Sequence, residues 1–241
     1  MIWALHGAVG SSADWRDFAQ KVSTSHGEVR RIDLWRFLDC CPMSLEKFGD
    51  TLAEEISRVD PEPVLLGYSM GGRLALHALL ARPHFWKAAI IVSAHTGLKS
   101  ELERAARRKK DAEWSALTLR SDWGDFLDQW NSQSVLSGVT MPDRSSLRDR
   151  RASIARSFID WSLGDQQNLS SRLQDIECPV LWLTGERDEK FTAVAHSAVS
   201  QLQHGEHEVI ADCGHRVHWE KLDEFSDHCQ LFLSKHLKLS T

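Results

Sequence analysis

Short apolar runs bounded by turn residues, alternating with stretches of helical period, constrain this chain more than any other feature. The runs are Ile2–Leu5, Val29–Ile32, Val64–Leu66, Ala88–Ser93, Val180–Leu183 and Glu208–Ile210. Each is short, bounded by turn residues and of strand length, so they read as strands. Between them, Ser44–Val59, Met70–Ala81, Ala193–Gln203 and Lys221–His236 repeat apolar residues at helical spacing. Strands joined through helices need crossover connections, and these are right-handed and lay helices on both faces of a mostly parallel, twisted sheet. An α/β fold follows. One region breaks the rhythm: residues 97–172 contain no convincing strand, only charge-rich helical sequence carrying Trp114, Trp123, Trp130 and Trp161. The expected organisation is a single domain over 1–241, with a core of 1–96 and 173–241 and a helical cap, 97–172, inserted over the sheet.

Composition narrows the class of function. The 29 Lys and Arg against 34 Asp and Glu leave a formal charge of −5, and no basic stripe exists to track a nucleic acid. No run reaches the ~18–20 apolar residues of a membrane span. The start, Met1-Ile2-Trp3-Ala4-Leu5-His6-Gly7, lacks the basic region and cleavage site of a secretion signal. Five cysteines, with no Cys-x-x-Cys pair, suit reduced thiols in a cytoplasm better than a disulfide framework. His204/His207 and His215/His218 share only i, i+3 spacing with no third ligand near, so neither a metal nor a cofactor is expected. A cytoplasmic monomer or small homo-oligomer acting on a small molecule is the reading.

Chemistry concentrates in Gly67-Tyr68-Ser69-Met70-Gly71, which follows the strand Val64-Leu65-Leu66 and opens the helical run from Gly72. Gly-x-Ser-x-Gly in a strand–turn–helix setting lifts a serine hydroxyl to the carboxyl end of a sheet. There the Met70 amide and the helix dipole can receive developing negative charge. The plainer alternative is a small-residue turn without chemistry. His6-Gly7-Ala8, after the first strand, offers a second amide donor at Ala8. A serine needs an imidazole to take its proton, and the imidazole needs a carboxylate to set its tautomer. Asp188 and His215 both fall just past strands, in Gly185-Glu186-Arg187-Asp188 and Asp212-Cys213-Gly214-His215, with Glu186 and Asp212 as competing carboxylates. Arg73 lies one helical turn past Ser69 amid Leu74, Ala75 and Ala78. A guanidinium there must meet an anion or bear a heavy desolvation cost, either as a structural ion pair or as a carboxylate clamp. The cap adds Arg104, Arg107 and Arg108, then Arg148, Arg150 and Arg151.

The chain order Ser69…Asp188…His215 is that of the α/β-hydrolases. Within them the sequence resembles the 2-succinyl-6-hydroxy-2,4-cyclohexadiene-1-carboxylate synthases of menaquinone and phylloquinone biosynthesis. The resemblance rests on Leu5-His6-Gly7, Gly67-Tyr68-Ser69-Met70-Gly71-Gly72-Arg73, Gly185-Glu186-Arg187-Asp188-Glu189-Lys190-Phe191, Gly214-His215-Arg216-Val217-His218 and the cap stretch Arg107–Trp114. It implies an α/β-hydrolase fold and a lyase that eliminates pyruvate, with Ser69, His215 and Asp188 as the triad and the serine removing a ring proton. It further implies an oxyanion hole from the Ala8 and Met70 amides, and a tricarboxylate substrate held by His6, Tyr68, Arg73, Arg107, Trp130 and Arg151. The sequence departs from the family at Asp33-Leu34-Trp35-Arg36-Phe37-Leu38, where bulky residues replace a glycine-rich turn, and at Lys221-Leu222, which lacks a proline. The rival readings are an ester or thioester hydrolase on the same triad and a catalytically silent small-molecule binding protein.

Overall fold

The computed structural model describes residues 1–136 and 142–237, the side chains of 24–26 excepted. Six strands, β1 (Ile2–Leu5), β2 (Val29–Ile32), β3 (Val64–Tyr68), β4 (Ala88–Val92), β5 (Val180–Gly185) and β6 (Gly205–Ile210), form one parallel sheet in the order β2-β1-β3-β4-β5-β6. The helices are α1 (Arg16–His26), α2 (Leu45–Ser57), α3 (Met70–Ala81), α4 (Glu101–Arg120), α5 (Trp123–Asn131), α6 (Arg151–Asp160), α7 (Glu189–Val199), α8 (Val217–Glu220) and α9 (Leu222–His236).

The two-residue period of each strand divides the core. Trp3, Leu5, Leu65, Ala89, Ile91, Val180 and Trp182 face the layer of α2, α3 and the 97–172 region. Ile2, Ala4, Val64, Leu66, Ile90, Leu181 and Leu183 face α1 and α9. The amino end of β1 is tied down by Asp60, which accepts the Trp3 indole N–H at 2.8 Å and pairs with the chain's amino group at 3.1 Å.

Most elements lie where the apolar pattern puts them, and α3 matches to the residue. β6 starts at Gly205 rather than Glu208 because it is the sheet's edge, and its exposed face carries polar residues that hide the strand. Helix α7 begins at Glu189 rather than Ala193, its first two residues, Glu189 and Lys190, being charged and open to solvent. Helix α1 has too few apolar positions to stand out, though Phe18 and Val22 bury one side of it.

Between β4 and β5 only helices and short turns occur among the described residues. Helix α4 opens on a capping box: Ser100 accepts from the Glu103 amide while Glu103 accepts from the Ser100 amide. Helix α6 leans on the 34–38 turn, where Ser153 Oγ donates to Asp39 at 2.8 Å and Arg156 donates to the Leu38 carbonyl at 2.9 Å. The register pairs Leu5 with Gly67, Gly67 with Ile91 and Val92 with Leu183, so the carboxyl ends of the central strands finish level. Everything that follows them collects at one rim, where open α/β sheets bind ligands. No helix among the described residues is long and apolar enough to cross a membrane.

Burial holds several histidines neutral. It lowers His77 to about 4, keeps His6 below its ordinary value and holds His218 far below it. An unfolded chain therefore takes up protons that the folded one refuses. Stability should be complete above the free-imidazole value of about 6.5 and decline as the pH falls from there toward about 4, by at most roughly 1.4 kcal/mol per pH unit for each histidine. Melting temperature measured from pH 7.5 to 4.5 should fall monotonically. A flat profile would mean that these rings titrate normally in the fold.

Candidate active site

Ser69 joins β3 to α3 with φ 52° and ψ −109°, a conformation that a side chain adopts only under constraint. Its amide donates to the Val92 carbonyl at 2.8 Å, tying the turn to β4. The flanking glycines are steric necessities. A Cβ on Gly67 would sit 2.5 Å from the Gly71 carbonyl oxygen, and one on Gly71 would sit 2.4 Å from that of Leu5. Only hydrogens let β1 and β3 approach the start of α3 this closely.

The loops after β5 and β6 bring the other two groups across. His215 Nε2 lies 3.1 Å from Ser69 Oγ, and His215 Nδ1 lies 2.7 Å from Asp188 Oδ2. Asp188 and His215 are both buried, at 7% and 4% exposure, so their mutual bond is shielded from water. With Nδ1–H donating to the carboxylate, Nε2 is left to accept from the serine. The competing carboxylates are engaged elsewhere. Glu186 accepts from the Asp212 amide at 2.9 Å, and Asp212 pairs at the surface with Arg187.

Sequence reasoning missed the group that frames His215. Glu220, in α8, accepts from the Gly214 amide at 2.8 Å and from the Arg216 amide at 3.3 Å. It also pairs with Arg187 at 3.0 Å. A single carboxylate thus grips the backbone on both sides of the imidazole; its spacing of five residues after His215, at the end of a short helix, was the available signal.

A cavity of about 400 Å³ opens beside Ser69 and His215, roofed by α4, α5 and α6. Ala8 and Met70 line it. Met70 is the first residue of α3, and its N–H is one of those a helix's own carbonyls cannot reach. Ala8 precedes Val9, whose φ of 52° is rare for a β-branched residue and marks the loop as held in place. The holder is Trp35: its indole donates to the Gly10 carbonyl at 2.9 Å, and its ring packs on His6 at 5.0 Å. The bulky 33–38 turn therefore supports this loop from behind and does not line the cavity.

Of the residues assigned to the substrate, Arg73, Arg107 and Trp130 line the cavity. The other three are placed elsewhere, and each has a physical reason. His6 spends both ring nitrogens on the backbone, with Gly7 O at 2.9 Å and Leu34 N at 3.2 Å, and is fully buried as a brace. Tyr68 turns to the far side of the strand among His218, Trp219 and His215, its hydroxyl accepting from Arg216. Burial raises its phenol well above the usual range. Arg151 donates to the Ser121 carbonyl at 3.0 Å and lies over Trp123, which anchors the start of α6 to the α4–α5 corner.

In place of Arg151 the wall carries Lys110, Lys190 and His95, none of which the motifs singled out for this purpose. His95 Nδ1 accepts the Gly97 amide at 3.0 Å, so its proton is on Nε2. Burial, with Lys190, Arg73 and Arg107 nearby, pushes it down to about 4 and keeps it a neutral donor. Arg107 reaches both oxygens of Asp111, at 2.8 and 2.9 Å. Arg73 is different. Its Nη1 donates to Gln166 Oε1 at 3.0 Å and its Nη2 to the Trp161 carbonyl at 2.7 Å, both neutral acceptors. Burial, then the neighbouring Arg107, lower it to about 9, which leaves it cationic at neutral pH.

A parallel sheet with a strained serine at the rim, hydrogen-bonded through histidine to aspartate, defines a class, and the chain belongs to it: residues 4–228 match the alpha/beta hydrolase family. Within that class it groups with the 2-succinyl-6-hydroxy-2,4-cyclohexadiene-1-carboxylate synthases. It is 30% identical to a Bacillus subtilis (strain 168) protein provisionally given that name, over 95% of this chain and 89% of that one. It is 28% identical to the synthase of Yersinia pestis (strain Pestoides F), over 98% of this chain and 87% of that one. Among solved structures, MenH from S. aureus superposes with a TM-score of 0.86 at 25% identity, covering 98% of this chain and 94% of that one. A thermophilic esterase from Thermogutta terrifontis, at 19% identity and TM-score 0.77, shares the fold.

Proposed function

We propose that this protein is a carbon–oxygen lyase that expels pyruvate from 2-succinyl-5-enolpyruvyl-6-hydroxy-3-cyclohexene-1-carboxylate, giving 2-succinyl-6-hydroxy-2,4-cyclohexadiene-1-carboxylate. The observation that carries this reading is Arg73, a buried guanidinium on the cavity wall whose bonds, among the described residues, go to neutral oxygens. A neutral ester has no use for such a group, whereas a substrate with three carboxylates does. Arg107, Lys110 and Lys190 on the same wall suit the remaining carboxylates. Trp114 and Trp130, packed edge to face, supply with Phe158 an apolar wall for the ring.

In this reading Asp188 fixes the His215 tautomer and His215 takes the Ser69 proton. The Ser69 oxygen then removes the ring proton beside the succinyl carbonyl. The charge that develops on that carbonyl oxygen is met by the Ala8 and Met70 amides. Collapse of the enolate through the ring double bond breaks the carbon–oxygen bond to the enolpyruvyl group, which departs as the enolate of pyruvate. The proton held by His215 then completes it to pyruvate and leaves the imidazole neutral for the next cycle.

The test is Arg73→Ala. A charge-assisted bidentate contact is worth on the order of 1.5–3 kcal/mol, so kcat/KM for pyruvate release should fall about 10- to 150-fold. Lysine should restore only part of it, lacking the planar fork. The loss on p-nitrophenyl acetate should be much smaller. Equal losses on both substrates would make Arg73 structural and favour an esterase on the same triad. Turnover of neither substrate by the wild-type chain would favour a silent binding protein.

A further inference from the structure

Arg73 projects from α3, and what holds it comes from the cap's returning arm. Gln166 is completely buried, in the turn that follows α6. Its Oε1 accepts from Arg73 Nη1 at 3.0 Å and its Nε2 donates to the His95 carbonyl at 3.2 Å. The two bonds fix which way the amide faces. The turn is itself clamped, because Arg104 Nε and Arg108 Nη1 both donate to the Gly164 carbonyl, at 2.9 and 3.0 Å. A Cβ on Gly164 would meet the Arg104 carbonyl at 2.6 Å, so nothing larger lets α4 approach the turn.

A buried arginine is ordinarily compensated by a carboxylate, as Arg144 is by Asp14 and the half-exposed Arg107 by Asp111. The carboxylate that acts on Arg73 is this same Asp111, already shared between Arg107 and the Ser162 hydroxyl. Gln166 occupies the place where a glutamate of the same shape would complete an ion pair. We infer that Gln166 is a positioning residue that sets the specificity of the cavity for carboxylates: it orients the Arg73 fork from a neutral acceptor, so that the full charge remains for an anionic ligand. This rests on the lyase reading for the identity of the ligand but not for its charge.

The shape and the charge of Gln166 can be separated by Gln166→Glu and Gln166→Met. Glutamate keeps the acceptor and neutralises Arg73, while methionine removes both bonds and leaves the cation free. If Gln166 merely held the fold together, methionine would be the more damaging change. Under the inference the order is reversed. Succinate serves as the probe, titrated against the intrinsic fluorescence of the intact chain, in which Trp114, Trp130 and Trp161 line the cavity. The Kd should rise about tenfold or more in Gln166→Glu and only about two- to fivefold in Gln166→Met. Added to Arg73→Ala, Gln166→Glu should weaken binding by less than about twofold further, because its effect passes through the arginine. Folded Gln166→Met protein binding no better than Gln166→Glu, an additive double variant, or a wild-type chain that binds no succinate would each overturn the inference. Binding is read without turnover. A wild-type chain that binds succinate in this pattern yet releases no pyruvate would sink the lyase reading and leave Gln166 standing.

Discussion

Ser69→Ala should lower pyruvate release by at least ~10³-fold while leaving the chain folded. The serine hydroxyl lies 3.1 Å from His215 Nε2, and alanine removes it without touching the turn. The strained φ of 52° is held by the Val92 carbonyl and by the close approach of Gly67 to Gly71, and alanine's Cβ replaces one already present. The amides of Ala8 and Met70 remain, so a residual rate above the uncatalysed one is expected. Steady-state pyruvate release, together with a melting curve, decides it. A folded variant retaining more than about a tenth of wild-type turnover would remove Ser69 from the chemistry.

Asp188→Asn should cost on the order of 10³–10⁴ in kcat by misassigning a single proton. Asparagine can turn its amide N–H toward His215 Nδ1, which forces the imidazole proton onto Nε2. That nitrogen can then no longer accept from Ser69. The backbone role of position 188 survives, since its amide donates to the Gly185 carbonyl at 3.0 Å and its carbonyl accepts from Thr192 at 2.9 Å. Asp212→Asn, a change at an exposed residue paired only with Arg187, is the matched control and should cost far less. A wild-type rate in folded Asp188→Asn protein would dissolve the triad.

The parts of this site legible in the sequence are those where chemistry and backbone geometry coincide. Ser69 announces itself because a strained turn demands Gly67 and Gly71 beside it. Asp188 and His215 are legible because a parallel sheet delivers every strand's carboxyl end to the same rim. Side chains from the cap are another matter. Arg107 and Arg151 read alike in the sequence, yet one faces the cavity and the other is drawn to the Ser121 carbonyl and the Trp123 ring. That choice is made by helix rotation and by the next corner of the chain, neither of which a motif encodes. His6 and Tyr68 carry the opposite lesson. Both sit inside recognisable motifs beside the reacting groups, and both are spent on bracing the loops there. Gln166 is silent because an amide at such a position looks like any polar residue until its partners are seen, and Glu220 offers only its spacing from His215.

Helix α4 and everything up to the turn after α6 leave the sheet and return to it at nearly one point. The Leu169 amide donates to the Thr96 carbonyl at 2.7 Å, and the Ser170 hydroxyl lies 3.3 Å from that of Thr96. The strands on either side can thus keep their register whatever the length of the excursion between them, since the Leu169 amide and the Thr96 carbonyl tie its two ends together. Substitutions accumulating in the excursion change what the cavity admits without disturbing the register that aligns Ser69, Asp188 and His215. A lineage can in this way revise what the cavity admits by rewriting one contiguous stretch of the gene, and the hydrogen-bonded Ser69, His215 and Asp188 are inherited intact.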